Sequence, residues 1–186
     1  MRKNLLLTLL SLVTAASLSA QSLSEGFEGL ADTDEAPSGW IAIASGGRHK
    51  WSVGHYTDQS MTSVITGYHS GGKNVMKSQS GKISAANPKP DQWLITPAVK
   101  VASGDNLSFM MAYDATFNAM VNVADENKSH FEVLVSTTDT ETASFTDVLY
   151  DVKPVANMNW RSYSFSLDKY AGKTVYIAFR EYGNSK

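Results

Sequence analysis

The chain has no cysteine among its 186 residues. This absence excludes disulfide bonds, a cysteine nucleophile and a lipid anchor attached through an N-terminal cysteine. The sequence also lacks a basic block, and its 16 Lys and Arg residues are outnumbered by 18 Asp and Glu residues. A mildly acidic chain without a basic patch argues against nucleic acid or an anionic membrane as a partner.

One long apolar run is present, and it lies at the N-terminus. A short positively charged start precedes the run over residues 5–18, and small residues follow it. These are the parts of a secretory signal peptide, and the run is too short for a membrane span. No later stretch is apolar enough to cross a bilayer. We predict a signal peptide over residues 1–20, export to the medium or the cell surface, and one domain over residues 21–186.

Familiar catalytic and nucleotide-binding motifs are missing as well. The 4 histidines form no HExxH pattern, and there is no GxSxG nucleophile elbow. Gly67-x4-Gly72-Lys73 approaches a phosphate-binding loop, but Asn74 stands where that loop needs a hydroxyl for Mg²⁺. We interpret residues 67–75 as a glycine-rich turn between two strands, and we expect no catalytic residue in the chain.

Short β-type segments separated by turn residues fill the mature chain, a spacing typical of β-sandwiches. Phe131, Val133 and Val135 occupy every second position of one segment. This period of two fits antiparallel strands with one face on a hydrophobic core. We predict an all-β fold, one antiparallel β-sandwich. The predicted strands cover residues 39–44, 49–54, 63–69, 73–79, 92–99, 106–114, 130–137, 161–167 and 174–182.

Several segments together carry a more specific pattern. They are GFEG (26–29), PSGW (37–40), HSGGKNVMKSQS (69–80), PDQWLITPAV (90–99), LSFMMAYD (107–114), FEVLVSTT (131–138), FTDVLYD (145–151) and NWRSYSFSLDKYAGKTVYIAFREY (159–182). In this order and spacing they resemble the cleaved adhesin domain, also called the choice-of-anchor J domain, of gingipain-type adhesin regions. The resemblance covers nearly the whole mature chain and implies a jelly-roll β-sandwich in an exported bacterial protein.

Two features depart from the family pattern. Residues 44–51 read ASGGRHKW, where family members often carry an acidic DGDG-like segment. The sequence also ends at Lys186, before the last strand that the family normally adds. We therefore favour a truncated jelly roll without its last strand over an unusual short form of the domain, and we expect an unpaired sheet edge that invites aggregation or strand addition.

The resemblance implies a structural Ca²⁺ near the chain termini, held by carboxylate and backbone oxygens. Calcium takes about six to eight oxygen ligands. Glu28 in GFEG is the first candidate ligand, and Asp91 is the second. For Asp91 the alternative is a carboxylate that accepts hydrogen bonds from backbone N–H groups in the turn after Pro90.

Exposed aromatic side chains offer stacking platforms for sugars, whereas burial is the usual fate of tryptophan. Trp93 lies in a segment of alternating apolar residues, which predicts that it joins the core. Trp51 stands among charged and histidine residues, so it is the tryptophan most open to exposure among the four, although burial is the commoner fate. We assign Trp51 and Tyr56 as candidate ligand-binding residues, together with Tyr68 and His69 beside the glycine-rich turn.

Three functions remain open from the sequence. The first is an exported, non-catalytic binding or adhesion module that recognises a host or matrix protein, or a glycan, through loops at one end of the sandwich. The second is a structural accessory domain of a larger surface protein or secreted protease, with no ligand of its own. The third is a hydrolase on a jelly-roll scaffold, which a cleft with two facing carboxylates would support.

Overall fold

The computed structural model describes residues 23–31, 34–45, 50–55, 74–78, 91–113, 129–152 and 157–183, and these ranges are mostly β. The strands are β1 (Ile41–Ser45), β2 (Ser52–His55), β3 (Asn74–Lys77), β4 (Asp91–Ile95), β5 (Val99–Lys100), β6 (Asn106–Tyr113), β7 (Ser129–Ser136), β8 (Asp147–Val152), β9 (Asn157–Ser166) and β10 (Thr174–Gly183). Short 3₁₀ turns at Thr142–Ser144 and Asp168–Tyr170 precede β8 and β10. Within the described ranges, no helix is long and apolar enough to span a membrane.

The largest sheet is antiparallel and runs in the order β1-β4-β10-β7-β8, with β5 added to β10. Strands β2 and β3 form a two-stranded sheet, and β6 and β9 form another. Because β10 lies between β4 and β7, Ala178 stands opposite both Ile95 and Leu134. Directly opposite residues of antiparallel strands share a face. The register of β10 therefore decides which side chains meet on each face of the large sheet.

One face of the large sheet, which we call the inner face, carries the main hydrophobic core. Val133 of β7 and Ile177 of β10 point into this core and are 0% and 3% exposed. The β6–β9 sheet packs against this face, and the Phe109 ring lies 5.3 Å from the Phe179 ring. Each large apolar side chain buried in this way contributes roughly 1.5–3 kcal/mol. Two packed layers with a shared core make the fold a β-sandwich.

The opposite face, which we call the outer face, holds a second and smaller hydrophobic cluster. Trp93, Ile95, Leu134 and Ala178 belong to this cluster. Phe145, from the connection before β8, covers it with its ring 5.7 Å from that of Trp93. Trp93 is 5% exposed, so the prediction that it joins the core is confirmed.

The all-β antiparallel fold predicted from the sequence is confirmed, whereas the jelly-roll connectivity stays a prediction. The predicted segment at 92–99 forms two strands, because the Thr96 hydroxyl accepts the hydrogen bond of the Ile177 N–H and interrupts the ladder. Strand β8 was missed. The predicted leader at residues 1–20 and the predicted strand at 63–69 lie outside the described residues. The predicted absence of a further strand also stays a prediction.

Candidate functional site

Glu28, the first predicted metal ligand, helps to hold the N-terminal segment against β3. Its Oε1 accepts a hydrogen bond from the backbone N–H of Asn74 at 2.9 Å. The Asn74 side chain donates from Nδ2 to the carbonyl oxygens of Phe27 and Leu30, at 3.0 and 3.1 Å. Phe27 has a φ of 64°, a left-handed conformation that is uncommon outside glycine. The Asn74 contacts therefore help to fix a strained turn.

Asp91, the second predicted ligand, is bound by an arginine on the outer face. Arg180 donates from Nε and Nη2 to the two Asp91 carboxylate oxygens, at 2.8 and 3.1 Å. Its Nη1 donates to Glu132 at 3.1 Å, and the other oxygen of Glu132 accepts from the Tyr182 hydroxyl at 3.0 Å. The position of β10 between β4 and β7 explains why one guanidinium reaches both carboxylates.

Aromatic rings complete this outer-face cluster. The Arg180 guanidinium lies over the rings of Trp93 and Tyr182, 4.6 and 4.4 Å from their centroids. Burial opposes its charge, but hydrogen bonds and charges from Asp91 and Glu132 outweigh burial and raise the pKa of Arg180. Burial, followed by the charge and hydrogen bond of Glu132, raises the pKa of Tyr182 to about 12. The cluster ties three strands together through one guanidinium that two carboxylates share.

These contacts decide how well the predicted metal ligands fit a calcium ion. Both oxygens of Asp91 already pair with a guanidinium, whose positive charge takes the place of a metal, so Asp91 does not fit. Glu28 accepts its hydrogen bond from β3, whereas Asp91 pairs with Arg180 of β10, so the two carboxylates share no partner. Among the described residues, no group of three or more His, Asp or Glu side chains could hold a metal ion. Calcium at Glu28 stays a prediction, without Asp91.

Trp51 is buried, which is the usual fate of tryptophan and opposes its candidate role in ligand binding. Its side chain is 9% exposed, and its indole Nε1 donates to the carbonyl oxygen of Gln92 at 3.3 Å. The ring is therefore not available as a stacking platform. The other candidate ligand-binding residues, Tyr56, Tyr68 and His69, lie outside the described residues and stay predictions.

Two connections enclose a hollow of about 350 Å³ at one end of the sandwich. We call it the loop-end hollow. The connection from β7 to β8 lines it with Thr137, Thr138, Ser144 and Thr146. The connection from β9 to β10 adds Lys169, Tyr170 and Lys173, and the strand residues Val135 and Asp147 complete the lining.

An ion pair fixes one wall of the hollow. Lys169 Nζ and the Tyr170 hydroxyl donate to the two oxygens of Asp147, at 2.7 and 2.6 Å. The hydrogen bond from Lys169, and then that from Tyr170, hold the pKa of Asp147 below its usual value despite desolvation. The bond to Asp147 raises the pKa of Lys169. Burial, and then the bond to Asp147, raise the pKa of Tyr170 to about 12. Both charges of the pair are therefore present at neutral pH.

Lys173 brings a second positive charge to the hollow from a fixed stretch of backbone. Its N–H donates to the carbonyl oxygen of Tyr170, and its own carbonyl oxygen accepts from the Val101 N–H, both at 2.9 Å. The preceding Gly172 has a φ of 80°, which glycine adopts without strain. No carboxylate of the described ranges forms an ion pair with the Lys173 ammonium group. That charge is therefore available to a ligand.

Comparison with known proteins supplies the family. The family model described as Cleaved Adhesin Domain matches residues 22–186. The chain belongs to the Cleaved Adhesin Domain family. The resemblance found in the sequence is thereby confirmed.

This cleaved adhesin domain is similar to parts of two much longer proteins of Porphyromonas gingivalis. It is 28% identical over 186 residues to Hemagglutinin A, which covers 88% of this chain and 6% of that protein. It is 30% identical over 176 residues to Lys-gingipain, covering 87% of this chain and 9% of that protein. The chain thus spans less than a tenth of the length of these curated relatives.

Solved structures show the same architecture. The K1 cleaved adhesin domain of Lys-gingipain from Porphyromonas gingivalis W83 matches with a TM-score of 0.57 and 26% identity, over 86% of this chain and 87% of that one. The K2 domain of Lys-gingipain matches with a TM-score of 0.55 over 86% of this chain and 95% of that one. At 20% identity, the K2 match supports the fold alone.

Sequence reasoning did not single out the loop-end hollow of this cleaved adhesin domain. The hollow joins residues 137–147 to residues 169–173, and neither stretch contains a familiar motif. The available signal was the hydroxyl-rich run TTDTETASFT (137–146), which by composition alone indicates only a turn.

Proposed function

We propose that this cleaved adhesin domain is an exported, non-catalytic adhesion module that binds a host or matrix protein, or a glycan, through its loop-end hollow. Membership of an adhesin family supports a binding role. The leader predicted at residues 1–20 supports export to the medium or the cell surface. In this proposal the sandwich is a scaffold, and recognition belongs to the loops.

The observation that carries the proposal is the loop-end hollow itself. Its volume of about 350 Å³ lies at the lower end of the range of about 300–1,000 Å³ that is usual for ligand sites. On one wall Asp147 accepts hydrogen bonds from Lys169 and from the buried Tyr170, and backbone bonds position Lys173. A site whose walls are already ordered loses little entropy when a ligand binds.

The paired carboxylates support a role without catalysis. A general acid needs a carboxyl group whose pKa is raised towards the working pH. Asp147 has a lowered pKa, because Lys169 and Tyr170 stabilise its charged form. Asp91 and Glu132 share one guanidinium, which occupies the space between them. Neither arrangement supports a glycosidase-type carboxylate pair.

The second candidate function is a structural accessory domain of a larger protein. It is favoured by one observation, that the chain matches only 6% of Hemagglutinin A and 9% of Lys-gingipain. A spacer needs no ligand, so this candidate differs from the first in predicting that the loop-end hollow binds nothing.

Ligand binding by the purified protein distinguishes the two candidates. The probes are an array of mammalian glycans together with immobilised collagen and fibronectin. Thr138→Trp places a bulky ring in the hollow, and Lys77→Trp, at an exposed position of β3, is the matched control. We expect at least one probe to bind and Thr138→Trp to weaken that binding by about tenfold or more.

Lys77→Trp is expected to bind like the native protein, and melting curves would show that both variants fold. Absence of binding to every probe would favour the structural accessory domain. Equal binding by the native protein and Thr138→Trp would remove the loop-end hollow from the proposal.

A further inference from the structure

We propose that the ligand of the loop-end hollow is an acidic sugar unit, with its carboxylate or sulfate group on Lys173 and its ring hydroxyls on the threonine and serine side chains. This inference rests on the proposed binding function and adds the chemical class of the ligand.

The charges in the hollow favour an anion. Lys169 is neutralised by Asp147, at 2.7 Å. Lys173 forms no ion pair with a described residue, although its charge also helps to lower the pKa of Asp147. With two lysines and one aspartate, the lining keeps one positive charge. A hydrogen bond from an ammonium group to a carboxylate or sulfate is roughly twice as strong as one between neutral groups. An anionic group on Lys173 therefore gains more than a neutral one.

The remaining side chains favour a sugar as the carrier of that charge. Thr137, Thr138, Ser144 and Thr146 line the hollow, and their hydroxyl groups can both donate and accept hydrogen bonds, although that of Thr138 already lies 3.3 Å from Ser136 Oγ. Sugar hydroxyls need both kinds of partner on the same ring. A hollow lined in this way satisfies several neighbouring sugar hydroxyls, whereas an isolated acidic side chain of a peptide would use few of these groups.

The hollow lacks what a neutral sugar usually requires. Among the described residues that line it, Tyr170 is the single aromatic one, and this side chain is 2% exposed. A buried ring offers no face on which a sugar ring could stack, so the hollow lacks the aromatic contact that would bind a neutral sugar. Affinity then depends on the charge of Lys173. Carboxylates of the neighbouring connection, Asp139 and Glu141, do not line the hollow.

Three oligosaccharides of equal length test the inference by calorimetry with the full protein. A sulfated chondroitin oligosaccharide carries sulfate and carboxylate groups, a hyaluronan oligosaccharide carries carboxylates alone, and a chitin oligosaccharide is neutral. A poly-glutamate peptide tests for a protein ligand. We expect at least one acidic oligosaccharide to bind about tenfold or more tightly than the chitin oligosaccharide and the peptide. High salt should weaken this binding.

Three variants locate the site. Lys173→Met is expected to reduce affinity for the acidic oligosaccharide by about tenfold, and Thr146→Val by roughly threefold. Lys77→Met makes the same charge change on the exposed end of β3 and should leave affinity unchanged. Binding of sulfated chondroitin alone assigns the charge to sulfate, and binding of both acidic sugars assigns it to a carboxylate.

Equal affinity for the neutral and acidic sugars would overturn the inference, as would tighter binding of poly-glutamate or unchanged affinity of Lys173→Met. A different result separates this inference from the proposed function. If Thr138→Trp abolishes binding to a probe but Lys173→Met leaves it intact, the hollow is a binding site for another class of ligand, and only the acidic-sugar assignment fails.

Discussion

At the scale of single residues, two ion pairs show how surroundings decide the strength of a charge contact. Arg180 is 25% exposed, and its partners Asp91 and Glu132 are 30% and 12% exposed. Lys169 and Asp147 are 50% and 45% exposed. Water therefore screens the second pair more strongly than the first. Arg180 contacts two aromatic rings, and Lys169 contacts one, that of Tyr170.

Replacing the cation of each pair tests this difference. Arg180→Met leaves two partly buried carboxylates without a cation, and we expect the free energy of unfolding to fall by about 3 kcal/mol. Lys169→Met is the matched control and should cost about 1 kcal/mol or less. Urea unfolding at neutral pH measures both. Similar losses in the two variants would show that the outer-face cluster is not a main source of stability.

The role of Asp91 gives a second test at this scale. We expect Asp91→Asn to lower the melting temperature equally in Ca²⁺ and in EDTA, because Arg180 rather than a metal compensates its charge. The calcium prediction for Glu28 gives a different result, a native melting temperature that falls in EDTA. Glu28→Gln should abolish that fall, and it retains an oxygen to accept the hydrogen bond of the Asn74 N–H.

Native melting curves that coincide in Ca²⁺ and EDTA would reject the calcium site. An effect of Asp91→Asn that appears only in Ca²⁺ would instead return Asp91 to the metal.

At the scale of elements, the N-terminal segment over residues 23–31 is attached to β3 through Asn74, whose backbone N–H donates to Glu28 and whose side chain makes two further bonds. Asn74 is 8% exposed and donates to two carbonyl oxygens of that segment. The segment adds no strand to any sheet of the described residues. Its attachment therefore depends strongly on the Asn74 amide.

Asn74→Asp should release this segment. The substitution replaces the donor with a carboxylate that faces two carbonyl oxygens, and we expect a cost of about 2–3 kcal/mol. Asn106→Asp is the control, because exposed Asn106 donates to the carbonyl oxygen of Gly104 at 2.9 Å. Hydrogen exchange over residues 23–31 should accelerate in Asn74→Asp alone. Protected amides there would show that other contacts hold the segment.

Elements with regular alternation could be predicted from the sequence, and those set by distant contacts could not. Strands β7 and β10 alternate over most of their length, and each was predicted to within one residue at either end. Strand β8 is bounded by Asp147 and pairs with β7 through an irregular register, which removes the period of two. Aspartate is also uncommon in strands.

The site was harder to predict than the fold for the same reason. The charged neighbours of Trp51 favour exposure, but its indole is buried. The carbonyl oxygen of Gln92, 41 positions away, accepts the hydrogen bond of the buried indole N–H. The interpretation of Asp91, as a metal ligand or as an acceptor in the turn after Pro90, depends on its near neighbours in sequence. Its actual partner, Arg180, lies 89 positions away. The loop-end hollow joins Thr138 to Lys173. Only the strand order brings these residues together.

At the scale of the whole molecule, the large sheet carries a hydrophobic cluster on each of its faces. Tyr170 packs in the core of the inner face, and Tyr182 belongs to the outer-face cluster. The hydroxyl of each donates to a carboxylate, Asp147 or Glu132. The two tyrosines therefore make the packing on both faces of the large sheet depend on pH in the same direction.

This coupling predicts alkaline unfolding. The pKa of each tyrosine is raised from 10.0 to about 12 in the folded protein. The folded state thus holds these protons more tightly than the unfolded state, and their stabilisation is complete below pH 10. It is lost as the pH rises from about 10 to about 12, by up to about 1.4 kcal/mol per pH unit for each tyrosine. Lys169, with its raised pKa, acts in the same direction.

Urea unfolding between pH 9 and pH 12 should show this slope, and a Tyr170→Phe/Tyr182→Phe variant should flatten it. The stability that this variant loses at neutral pH reports only the missing hydrogen bonds. An equal slope in that variant would mean that other groups control alkaline stability, and that the two hydroxyls are solvated in the folded protein.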